Sequence, residues 1–106
     1  VTTRLSMRRG SLYLGRHTYE RYFASLEGIV LLREHEDLTV MPVRLAGAGG
    51  YLVKVRNAAG DRVVDAADFF RTEGVLDDAT FEVDSEWDDA RGALVAARVF
   101  AGVAAP

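Results

Sequence analysis

The spacing of hydrophobic and polar positions changes several times along this chain, and each change marks an element. Residues 1–10 are polar and basic without a period, which predicts a mobile basic arm. Ser11 to Leu14 reads as a short strand closed by Gly15. Tyr19, Tyr22, Phe23 and Leu26 then recur at i, i+3, i+4 and i+7, placing all four on one face of a helix. Thr18 is its expected N-cap and Gly28 its terminator.

From Ile29 the pattern turns to strand. The run Ile29–Leu32 and the alternation Leu38–Met41, ended by Pro42, flank the charged stretch Glu34-His35-Glu36-Asp37 and predict a hairpin. Gly47 to Gly50 form a connector. Tyr51 to Arg56 alternate, Asn57 to Gly60 make a turn, and Arg62 to Val64 return as a second hairpin. Asp65 is expected to cap a short helix from Ala66 to Glu73, burying Phe69 and Phe70 and stopping at Gly74. Phe81 and Val83 alternate with Glu82 and Asp84, as in a one-sided strand.

The last stretch supports two readings. Acids at 86, 88 and 89, Arg98 near the end and Gly102 beyond it suit a helix over 86–101, which is the preferred reading. The competitor is a turn from Asp88 to Gly92 followed by a strand from Ala93 to Phe100 paired with 80–87. Gly92 argues for it, since glycine costs about 1 kcal/mol inside a helix.

Together these elements predict an α+β fold: an antiparallel sheet of four or five strands, from two hairpins and a later strand, with two or three helices packed on one face. The expected organisation is a basic arm over 1–10, one domain over 11–102 and a tail over 103–106.

Composition narrows the chemistry. The chain has 106 residues, 49% of them hydrophobic, which suits one ordered domain. It has no cysteine, which excludes disulfides, thiolate metal sites and cysteine nucleophiles within it. No apolar run approaches the ~20 residues that span a bilayer, and no signal peptide opens the chain, so a cytoplasmic location and no membrane contact are expected. Twelve Arg to one Lys reads as codon bias of a GC-rich bacterial genome and not as recognition.

The net charge of −3 conceals two poles. Residues 1–56 carry eight Arg and one Lys against five acids, whereas residues 57–106 carry four Arg against eleven. Segment 1–23 holds five Arg against Glu20 alone, and segment 72–89 holds eight acids and no base. Such poles pair with each other, within or between molecules, or meet a charged partner. The candidate binding residues are therefore Arg8 and Arg9 at one pole and Glu82, Asp84 and Glu86 at the other. On the strand reading those three acids share one face.

Further constellations carry candidate chemistry. His17 beside Arg16, one turn from Arg21, supplies the residue types of a metal-independent enzyme acting on a phosphodiester-like anion, and these three are the catalytic candidates. His35, Glu36 and Asp37 are the metal-site candidates, although neighbours along a hairpin turn do not converge unless the loop folds back. The glycines at 47–50 lead into a strand and not a helix, which removes a phosphate-loop reading. The serines lack the Gly-flanked elbow of a nucleophile. A pI near 5.3 argues against nucleic-acid binding, which would rest on the basic arm alone.

The leading expectation is thus a small non-enzymatic binding or accessory domain that self-associates or docks on a larger bacterial assembly, with itself or another protein as partner and no cofactor. A metal-independent enzyme for an anionic substrate is the first alternative, and nucleic-acid binding through the N-terminal arm the second.

Overall fold

The computed structural model describes residues 2–44, 47 and 49–103. Its elements in chain order are β1 (Thr2–Arg8), β2 (Ser11–Leu14), the single turn α1 (Arg16–Thr18) running into a π-helical turn at Tyr19–Phe23, β3 (Gly28–Glu34), β4 (Asp37–Val43), β5 (Tyr51–Leu52), β6 (Lys54–Val55), β7 (Arg62–Asp65), the helix α2 (Ala67–Thr72), β8 (Thr80–Asp88) and β9 (Ala93–Ala96).

The nine strands form one sheet in the order β5-β3-β4-β9-β8-β1-β2-β7-β6, every neighbouring pair antiparallel. The two edge strands are consecutive pieces of one segment. Residues 51–52 pair with β3, residues 54–55 pair with β7, and the Val53 N–H between them donates to the Glu27 carbonyl at 2.8 Å. The sheet therefore curls until its edges meet, giving a nearly closed barrel that leaves little unpaired edge. This overturns the expected α+β sheet of four or five strands with helices on one face. Among the described residues the helical structure is the six-residue α2, the three-residue turn α1 and the π-helical turn that follows it.

Three segments account for the difference. The expected basic arm is strand β1, in the middle of the sheet between β8 and β2. Leu5 and Met7 face the core, 0% and 2% exposed, while Arg4, Ser6 and Arg8 alternate outward. Arg9 and Gly10, at φ 50° and 84°, make the two-residue turn into β2, whose positive φ values match the twist of the flanking strands. Gly10 is required there. A Cβ on it would lie 2.6 Å from Ala67 Cα, and its carbonyl accepts the Ala66 N–H at 3.0 Å, seating the start of α2 on the hairpin.

The helix expected over 86–101 is instead a turn and a strand. Asp88 Oδ1 accepts the N–H groups of Ala90 and Arg91 at 2.9 and 3.2 Å, and Gly92 follows at φ 64°. The acid placed to cap a helix thus caps a turn. β9 then buries Ala93, Leu94 and Ala96. It runs only to Ala96, shorter than the strand of the competing reading.

The helix expected after Thr18 amounts to the turns at 16–23. Ser25, at φ 69°, ends them, and Gly28 opens β3. Phe23 is fully buried and Tyr19 and Tyr22 are half-buried, so the apolar stripe reaches the core without a long helix behind it.

Other elements follow their sequence signals. The β3–β4 hairpin turns at His35-Glu36, with Glu34 opposite Asp37. α2 ends at Gly74, φ 87°, where the Val75 N–H donates to the Phe70 carbonyl and the Gly74 N–H to the Arg71 carbonyl, the paired bonds of a Schellman stop. Its cap residue is Ala66, with no side-chain cap; Asp65 instead accepts from Ser11 and Lys54. Of the expected glycine connector, Ala48 lies outside the described residues. So do 104–106 of the expected tail, whereas Val103 packs on the core.

One buried cation ties the ends together. The Arg33 side chain is 11% exposed. Its Nε–H donates to the His35 carbonyl at 2.8 Å and Nη2 to the Val103 carbonyl at 2.7 Å, Nη1 lies 3.7 Å from Glu73 Oε1, and the guanidinium sits 4.9 Å from the Phe100 ring centroid. The β3–β4 turn, the end of α2 and the C-terminal residues thus share one anchor.

Candidate functional site: an outer face in three sectors and a cleft

Strand alternation sends one set of side chains into the core and the other outward, so the register fixes what the outside of the barrel carries. Three sectors result. Across β1, β2 and β6 the outer positions include Arg4, Arg8, Tyr13 and Lys54. Arg8 and Arg56 lie over the Tyr13 ring at 5.0 and 4.6 Å, so these bases partly cover an aromatic surface. β8 points Glu82, Asp84, Glu86 and Asp88 outward. Across β5, β3, β4 and β9 the outward positions include Leu52, Val30, Leu32, Val43, Met41 and Val95, with the buried Thr39 between Leu32 and Val95 and with Glu34 and Asp37 at the hairpin end. This third sector is mostly aliphatic on the outside of a barrel whose inside is already filled, and Thr39 bonds Glu34 within it at 2.7 Å. Leu32 and Leu52 are 41% and 51% exposed.

The two charge poles meet in cis. β1 pairs with β8 over seven residue pairs, and Arg4 faces Asp84 directly. Its Nε–H donates to Asp84 Oδ1 at 2.7 Å and Nη1 to Glu82 Oε1 at 2.9 Å. Of the acidic binding candidates, Glu82 and Asp84 therefore serve Arg4. Glu86 has no ion pair among the described residues and sits opposite Val95, at the border of the aliphatic sector. Arg9 is at the β1–β2 turn, its N–H donating to the Ala79 carbonyl at 3.0 Å.

The metal-site candidates do not converge. His35 stands at φ 59° in the hairpin turn, the Glu36 carbonyl accepts the Phe100 N–H, and Asp37 Oδ1 accepts the Arg98 N–H at 3.0 Å. Among the described residues no group of three His, Asp or Glu side chains is placed to hold a metal.

The catalytic candidates do come together. Arg16, His17 and Arg21 line one cleft of about 650 Å³, whose other walls are the start of β1 (Thr2–Arg4), Tyr22, and Ala59 and Asp61 of the β6–β7 turn. Gly15 follows β2 in an extended conformation and precedes α1. Asp61 Oδ1 then accepts the Arg16 N–H at 2.9 Å, and Oδ2 accepts Asn57 Nδ2 at 3.1 Å. These bonds, the Asn57 one foremost, hold the Asp61 carboxyl below its ordinary pKa. Gly60 admits the Arg16 stem, since a Cβ there would approach Arg16 Cδ to 3.0 Å. Tyr22 stacks on Trp87 at 4.7 Å between centroids and 10° between planes.

His17 makes no hydrogen bond among the described residues, so no carboxylate orients its imidazole as a general base requires. The sequence places Tyr22 close to these residues but gives no sign of Thr2 and Asp61 as their neighbours. Only the pairing of β1 with β8, and of β2 with β7, brings them to the same end of the barrel. No helix among the described residues is long and apolar enough to cross a membrane. No known protein family, curated protein or solved structure matches the chain.

Proposed function

We propose that this chain is a small non-enzymatic docking domain that self-associates through the aliphatic outer sector of β5, β3, β4 and β9. The observation that carries this reading is the outward placement of Val30, Leu32, Met41, Val43, Leu52 and Val95 on a sheet whose other face is the core. An aliphatic outer sector of this kind, interrupted by Thr39 alone between Leu32 and Val95, supports an interaction surface on a small domain.

Its borders favour a second copy. On one side the sector meets the acids of β8, beginning with Glu86 opposite Val95. On the other, β5 runs on into β6, which begins at Lys54, an exposed ammonium that also bonds Asp65 at 2.9 Å. Two copies stacked face to face about a twofold axis parallel to the strands put each acidic border on the partner's basic border. An axis across the strands would oppose like charges. The charge layout thus selects one arrangement of an isologous pair. The six aliphatic side chains, Leu32 and Leu52 the most exposed of them, supply the apolar centre of the interface and the charged borders its rim.

Sedimentation equilibrium at micromolar concentration and two salt levels tests the reading. A concentration-dependent dimer is expected, weaker at high salt, with Leu32→Glu shifting it to monomer. Glu86→Lys should weaken the dimer, and Lys54→Glu in the same chain should restore part of the loss. A wild-type chain that stays monomeric at both salt levels overturns the proposal.

A further inference from the structure

We infer that the cleft lined by His17 and Arg21 is a binding site for a small phosphomonoester, separate from the aliphatic sector. Three charged side chains of the cleft are already engaged. Arg4 is held by Glu82 and Asp84. Arg16 lies 3.9 Å from Glu20, a loose exposed pair. Asp61 is the one carboxylate among the described lining residues, and both its oxygens accept hydrogen bonds from the protein.

Arg21 and His17 remain. Both are exposed, and neither has an acidic partner among the described residues; the Arg21 guanidinium lies 5.4 Å from the Tyr22 ring centroid. Beside them stand the hydroxyls of Thr2 and Thr18, which make no side-chain hydrogen bonds among the described residues. A guanidinium, an imidazole and two hydroxyls around one cleft match a tetrahedral oxyanion, whose several acceptor oxygens need donors from different directions.

Size then decides between a bare anion and a larger ligand. A cleft of about 650 Å³ lies in the range of small-molecule sites and far exceeds one phosphate. The phosphate engages Arg21 and His17, and an organic body fills the space beside Tyr22. Trp87 stacks on Tyr22 behind that wall. It is the only tryptophan of the chain, so its fluorescence reports on Tyr22 and, through it, on the cleft.

Titration with inorganic phosphate, ribose 5-phosphate and adenosine monophosphate at constant ionic strength, with ribose and adenosine as controls, tests the site. Saturable changes in Trp87 fluorescence are expected with both phosphomonoesters, a weaker one with inorganic phosphate, and none with the controls. Arg21→Gln and His17→Gln should each weaken binding about tenfold or more. Arg71→Gln, whose partner Asp77 lies outside the cleft, should leave it unchanged. Absence of a saturable response to any phosphorylated probe overturns the inference. So does undiminished affinity in both Arg21→Gln and His17→Gln, or equal binding of ribose and ribose 5-phosphate. Because these readouts do not involve association, they succeed or fail independently of the dimer measurement.

Discussion

Arg4 stands directly across from Asp84 in the pairing of β1 with β8, and its guanidinium bonds Glu82 and Asp84 together. The two hydrogen bonds, that to Glu82 foremost, raise the arginine's pKa above its ordinary value. Arg4→Glu places a third acid against this pair. The variant should melt at a lower temperature than wild type, by a margin that shrinks as salt is added. Exchanging the charges, Arg4→Asp with Asp84→Arg, should recover most of the loss. Equal melting temperatures for wild type and Arg4→Glu at low salt would show that the pairing of the poles contributes nothing.

Gly10 tests the seating of α2. Gly10→Ala adds a Cβ 2.6 Å from Ala67 at a positive φ, so overpacking and backbone strain act together and should cost about 3 kcal/mol in urea unfolding. Gly92→Asn is the contrasting change. It also sits at positive φ, but with no atom within 4 Å of the added Cβ, and should cost less than about 1 kcal/mol.

Removing the Arg33 anchor should be felt at three places. Arg33→Met leaves the His35 and Val103 carbonyls without this donor and Glu73 without its nearest cation, a loss of about 2 to 3 kcal/mol. Hydrogen exchange should quicken at the Val103 and Phe100 amides before it does in β1. Uniform exchange across the barrel would refute the idea of a local anchor.

Acid should weaken the fold partly through Asp61 and Asp65. Asp61 is lowered chiefly by Asn57 and then by the Arg16 N–H, and Asp65 chiefly by Lys54 and then by Ser11. A carboxyl whose folded pKa lies below its unfolded value stabilises the protein above the ordinary range of about 4, and that contribution is lost as pH falls through the folded pKa. Melting temperature should therefore drop between about pH 5 and pH 2, and less steeply in Asp65→Asn than in wild type. Identical slopes would assign the acid sensitivity to other carboxylates.

Local signals were legible wherever a short stretch carried its own geometry. Gly74 marked the end of α2, the charged stretch around His35 marked a hairpin, and the acids of β8 fell on one face as the alternation required. The arm and the last helix were misread because their signals are non-local. β1 offers only Leu5 and Met7 to a core, too few to announce a strand without β2 and β8 beside it. Asp88 suits a helix start as well as a turn, and Gly92 alone favours the turn until Leu94 finds Val40 and Trp87 as neighbours.

The candidate sites divide in the same way. Residue types and charge poles are properties of the linear chain, and so was the proximity of Arg16, His17 and Arg21. Whether the poles meet each other, which aliphatic side chains face outward, and which threonines and carboxylate complete the cleft were decided by tertiary structure. The physical reason is strand pairing. A strand's side chains alternate by a local rule, but which face is buried, and which residues stand opposite, depends on partners up to eighty residues away, as Arg4 and Asp84 are.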